Sequence, residues 1–111
     1  MIVYNVTTKI ERSIAREWGR WMKREHIPAL MATGLFSGYR LMRILEEPEE
    51  GDDGLTYAVQ YLCPSAAQFD EYLKTHATGL QRAAREKFRN QTITIRTLMQ
   101  VIEEEAVFSQ S

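Results

Sequence analysis

Ile2 to Thr8 alternates β-branched and aromatic residues with polar ones, the period of a strand. From about Arg12 the period lengthens. At 100° per residue, Ile14, Trp18 and Trp21 fall on one narrow stripe with Met22 beside it, which predicts an amphipathic helix. Pro28 has no N–H for the carbonyl of Arg24 and disfavours helical geometry at Ile27, so this helix should kink or end near His26. Thr33-Gly34 closes it. Tyr39 to Leu45 and Leu55 to Cys63 read as two further strands, joined by the acidic, Gly-bounded connection "EEPEEGDDG" (46 to 54). Ser65 followed by Gln68 is a capping-box signal for a second helix, expected to run to about Lys87 with Phe69, Leu73, Leu80, Ala83 and Ala84 on one face. "TITIRTLMQVI" (92 to 102) is a long fourth strand.

The order βαββαβ with right-handed crossovers is an α+β, ferredoxin-like arrangement: a four-stranded antiparallel sheet with two helices on one face. One domain over residues 1–103 and a loose tail over 104–111 are expected. The other sheet face is then uncovered. Strand four offers Ile93, Ile95, Met99 and Val101 on one side and Thr94, Arg96, Leu98 and Gln100 on the other, so neither side is a clean polar surface. A second sheet packed on it explains this better than water does. The expectation is a homodimer of the dimeric α/β-barrel kind.

Composition narrows the field without naming a function. The chain has 111 residues, 44% hydrophobic and 26% charged, as in an ordinary globular domain. A formal net charge of -1 gives no global field toward nucleic acid or anionic membrane. The single Cys63 leaves no internal disulfide, and fits a reducing compartment. No apolar run approaches the roughly 20 residues of a membrane span. The first residues lack the basic start and apolar run of a signal peptide. A cytoplasmic setting with no membrane partner is expected.

"MIVYNVT", "EWGRWMKREHIPALMATGLFSGYR", "TYAVQYLCPS" and "IRTLMQVI" together resemble a small bacterial family, domain of unknown function 4286. The resemblance covers nearly the whole chain. It implies the fold of the dimeric α/β-barrel, ferredoxin-like superfamily, which includes cofactor-independent monooxygenases, haem-degrading enzymes and stress-response barrels. It implies no catalytic residue, because that family has no assigned chemistry.

The candidate chemistry gathers on the helices. On an unbroken helical period Glu25 lies near the centre of the first helix's stripe and His26 flanks it, while His76 falls in the middle of the second helix's stripe with Tyr72 at its edge. Antiparallel helices would bring Glu25 and His76 within about one turn of level. A buried imidazole facing a carboxylate is an acid/base pair in which each group shifts the other's pKa. The competing reading is a carboxylate that bends to water and a core histidine bonded to the backbone. Trp18, Trp21 and Met22 wall either a flat apolar pocket or plain core, and Tyr39 and Tyr57 add hydroxyls on strands for orienting a ligand.

Other classes find less support. Two histidines and one cysteine leave a closed tetrahedral metal site short of a ligand, so no metal and no cofactor are expected. An RNA-recognition module shares this strand order but needs stacking aromatics on its first and third strands; Leu55 and Gln60 stand where two of these belong, so no nucleic-acid partner is expected. Three functions remain: a homodimer binding a small, mostly apolar molecule between helices and sheet; a cofactor-independent monooxygenase or isomerase in the same pocket; or a non-catalytic interaction module presenting the acidic hairpin or the Val107-Phe108 tail. The first and third of these are non-catalytic and the second is an enzyme.

Overall fold

The computed structural model describes residues 1–45 and 51–105. Strands β1 (Ile2–Ile10), β2 (Gly38–Arg43), β3 (Leu55–Cys63) and β4 (Thr92–Gln100) form one antiparallel sheet in the order β2-β3-β1-β4. Helices α1 (Ala15–Trp21) and α2 (Ile27–Met31) follow β1; α3 (Ala66–Thr75) and α4 (Ala77–Phe88) follow β3. This is the ferredoxin-like βαββαβ plan. Of the acidic connection, 46–50 lie outside the described residues, as do 106–111 of the tail.

Register fixes which side chains meet the helices, because residues directly opposite across a ladder share a face. Tyr4 pairs with Tyr61 and Val6 with Val59, while Thr8 pairs with Tyr57 and Ile10 with Leu55. This face carries the core, with Tyr4, Ile10, Val59, Tyr61 and Cys63 all buried against Trp18, Met22, Phe36, Phe69 and Tyr72. Tyr4 is the hub: its ring lies 5.1 Å from Phe69, 5.7 Å from Tyr72 and 6.0 Å from Tyr61. Such aromatic pairs contribute about 0.5–1.5 kcal/mol each beyond area burial. Among the described residues the opposite face carries no helix. Ile93 and Ile95 are 68% and 64% exposed there, with Met99 at 39%.

The first helical segment bends as Pro28 requires, but by a route the periodicity does not show. Between α1 and α2 the chain takes a π turn over Met22–His26, in which the Ile27 N–H donates to the Met22 carbonyl five residues back. The π turn inserts one extra residue into the helical count. The buried series therefore runs Ile14, Trp18, Met22, then Ile27 and Leu30. Gly34 ends the segment at φ +76, a conformation most side chains resist, and its N–H donates to the Met31 carbonyl.

The second helical segment is also divided. Ser65 caps α3, its hydroxyl accepting from the Gln68 N–H at 3.2 Å, as the sequence signal indicates. His76 (φ -120, ψ -34) then interrupts the helix, and α4 starts afresh at Ala77. Within α3 the buried face runs through Phe69 and Tyr72 rather than Leu73, and the break resets the helical phase for α4. Tyr72 is 1% exposed and Leu73 47%. Truncating Phe69 to Ala should cost about 3–5 kcal/mol in urea unfolding, and truncating Leu73 to Ala under about 1 kcal/mol. Equal costs would restore the single continuous stripe.

Candidate functional site

A cleft opens between the helix layer and the β1–β4 half of the sheet. The π turn supplies His26 and Met22 to it, α1 supplies Trp18 and Trp21, α3 supplies Tyr72, and α4 closes it with Leu80, Gln81 and Ala84. From the sheet come Tyr4, Thr8 and, at the mouth, Thr94 and Arg96. The enclosed volume is about 50 Å³. That is room for a few water molecules, well below the roughly 300 Å³ of a pocket for a drug-sized molecule.

His26 owes its place to the π turn. Its ring stacks on Trp21 at 4.7 Å between centroids and 21° between planes, and Trp21 in turn meets the edge of Phe88 at 5.4 Å. Burial first, and then the Arg96 guanidinium, push the imidazole down to about 4, so at neutral pH it carries no charge. Tyr72 moves the other way. Burial first, then the neighbouring Tyr4, hold its hydroxyl above the usual phenol range, although Arg96 opposes them. The cleft thus has neutral groups inside and one cation, Arg96, at an exposed mouth. Thr8 and Thr94 share a hydroxyl–hydroxyl hydrogen bond at 3.3 Å across the ladder beside it.

This arrangement revises the expected pairing. Glu25 is exposed, because the extra residue of the π turn rotates it off the buried stripe and brings His26 inward instead. His76 is half-buried at the α3–α4 break, where its N–H donates to the Tyr72 carbonyl and its own carbonyl accepts from Leu80; it does not line the cleft. No ion pair or hydrogen bond among the described residues joins Glu25 to His76. Trp18, Trp21, Met22, His26 and Tyr72 do converge. Tyr57 packs on the far side of Trp18 at 4.9 Å, and Tyr39 is 49% exposed on the edge strand β2. Among the described residues, no three His, Cys, Asp or Glu side chains gather as metal ligands would.

Arg96 is the residue the sequence reading did not single out. Its signal is present: it shares a strand face with Thr94, and Thr94 pairs across from Thr8, whose face is the helix-covered one. A family profile described as domain of unknown function (DUF4286) matches residues 1–102. The chain belongs to that family.

No curated protein matches the sequence. Solved structures do match the fold. A putative antibiotic biosynthesis monooxygenase from Deinococcus radiodurans is 12% identical, with 98% of this chain and 100% of that one covered and a TM-score of 0.67. SnoaB, a cofactor-independent oxygenase from Streptomyces nogalater, is 14% identical over 93% and 95%, with a TM-score of 0.64. A dimeric ferredoxin-like protein from an uncultured marine organism is 11% identical over 94% and 98%, with a TM-score of 0.63. At such identities the likeness is one of fold.

The His26 shift has a sign that can be tested. The unfolded chain binds this proton below about 6.5 and the folded chain only below about 4, so stability is full above 6.5 and falls as pH drops toward 4. A difference of 6.5 − 4 = 2.5 units corresponds to the order of 3 kcal/mol at about 1.36 kcal/mol per unit. Urea midpoints of wild type and His26→Gln at pH 7 and pH 4.5 should show a smaller acid loss in the variant. Equal losses would place the imidazole in water.

Proposed function

We propose that the protein is a homodimer that holds a small, mostly apolar molecule between helices and sheet, with an acceptor or anionic group of that molecule against Arg96. The observation that carries this reading is the uncharged His26, stacked on Trp21 beside Arg96 at the mouth of an aromatic-walled cleft. Large apolar walls and a few convergent polar groups are the usual make-up of a small-molecule site. The volume now enclosed requires the cleft to widen on binding. The interruption at His76 supports a hinge there, letting α4 swing from β4 while α3 stays packed through Phe69 and Tyr72.

Self-association rests on the uncovered sheet face. Ile93, Ile95 and Met99 stand in water there in the single chain, with Val3, Met42 and Leu62 partly exposed beside them. A second sheet packed against this face removes the apolar surface, and a structural neighbour of the same plan is described as dimeric. A cytoplasmic setting agrees with one free, buried cysteine; no helix among the described residues is long and apolar enough to cross a membrane.

A second reading, a cofactor-independent monooxygenase or isomerase in the same cleft, is favoured by the fold it shares with an oxygenase of that kind. His26 would then take the proton and Tyr72 donate a hydrogen bond. A pKa of about 4 leaves the imidazole free to accept at neutral pH but makes it a weak base, which weighs against this reading.

Sedimentation of the wild type at micromolar concentration should give a dimer, and Ile95→Arg a folded monomer. A wild-type monomer would remove the assembly from the proposal. Native mass spectrometry of undialysed protein should show a retained small mass that Trp21→Ala loses. Retention undiminished in Trp21→Ala would move the ligand out of this cleft, and turnover abolished by His26→Gln with binding intact would favour the enzyme.

A further inference from the structure

A second hollow lies on the other side of Trp18, between the outer face of α1 and the β2–β3 edge of the sheet. It holds about 460 Å³ and is open to solvent. Leu41, Tyr57 and Trp18 form its apolar floor, and Arg16, Arg20, Lys23 and Arg24 form its wall, with no carboxylate among the described residues that line it. Among the described residues, no ion pair or hydrogen bond engages these four side chains. Arg16 and Arg20 stand four residues apart in α1, where like charges repel and weaken a helix. Four cations gather here although the chain as a whole is slightly acidic.

Gly19 points the same way by a separate route. It sits inside α1 and lines the hollow, and a Cβ built on it meets nothing within 4 Å. Neither close packing nor a left-handed backbone explains a glycine at that place, where alanine is the better helix former. A side chain there would project into the hollow. Its absence keeps the space open.

We infer that this groove is a binding site for a nucleoside diphosphate or a close analogue, a small polyanion with one planar apolar end. The ring lies on Tyr57 and Leu41, and the phosphates run along Arg16, Arg20, Lys23 and Arg24. The row spans about 12 Å at 1.5 Å per residue, the reach of a ribose with two phosphates. The volume falls in the range of small-molecule sites, roughly 300–1,000 Å³. Arginine forks match phosphate oxygens two at a time. This site is separate from the His26 cleft, with which it shares the Trp18 wall, and the inference does not rest on the function proposed for that cleft.

Isothermal titration of the full chain with ADP, with adenosine and with inorganic pyrophosphate tests it. ADP should bind once per chain, and each fragment at least tenfold more weakly. Gly19→Leu should lower ADP affinity at least tenfold without lowering the melting temperature, leucine being the better helix former, and Arg20→Ala/Lys23→Ala should also lower affinity at least tenfold without loss of folding. Pyrophosphate as tight as ADP would show unselective anion pairing and overturn the proposal, as would a Gly19→Leu variant that binds normally. Absence of ADP binding to the wild type overturns it as well. A single-stranded oligonucleotide that displaces ADP at lower concentration would make this face a nucleic-acid surface instead. Binding seen only after Glu46, Glu47, Glu49 and Glu50 are all changed to Gln would assign the groove to the chain's own acidic segment.

Discussion

One missing amide hydrogen organises the first half of this molecule. Pro28 cannot donate to the chain behind it, so the helix leaving Trp21 widens into a π turn, with Ile27 bonding back to Met22. The cost of the wider turn is offset on its two sides, where Trp18, Met22, Ile27 and Leu30 all reach the core. The extra residue decides which of two adjacent ionisable groups turns inward. Glu25 goes to water and keeps its charge solvated, whereas His26 goes against Trp21, where an uncharged ring is the form that burial favours. Had the acid turned inward, the cleft would have had to carry a buried charge or protonate it.

The sheet answers this layer with aromatic side chains on one face only. Tyr4, near the start of β1, touches residues from β3, α3 and the segment after α2, so strands and helices are held through one ring. Among the described residues no such cluster forms on the reverse face, where β4 shows two isoleucines to solvent. The same strand therefore serves two ends. Thr94 and Arg96 look toward the cleft while Ile93 and Ile95 look away from it, and the two-residue period of a strand keeps the roles apart.

The strands were legible because their period is short and each is bounded by turn residues. Leu55–Cys63 is found at the limits its sequence suggests, and β1 runs only two residues further than expected. The helices were legible as segments but not in phase. A wheel drawn at a constant 100° cannot register a π turn at Met22–His26 or a stop at His76, and each shifts every position after it. The stripe through Trp18 and Met22, which ends where the first of these begins, holds, whereas Glu25 lies within the π turn and turns outward, and His76 is itself the stop. Arg96 was hidden for another reason. Its partner in the cleft is 70 positions away, and only the register of β4 on β1 brings it to the helix side.

Trp18 stands as a party wall between the His26 cleft and the arginine-lined groove. One indole cannot yield to a molecule on one side without altering the space on the other. Whatever free energy couples the two hollows passes in equal measure in both directions, so neither occupant could act on the other without being acted upon.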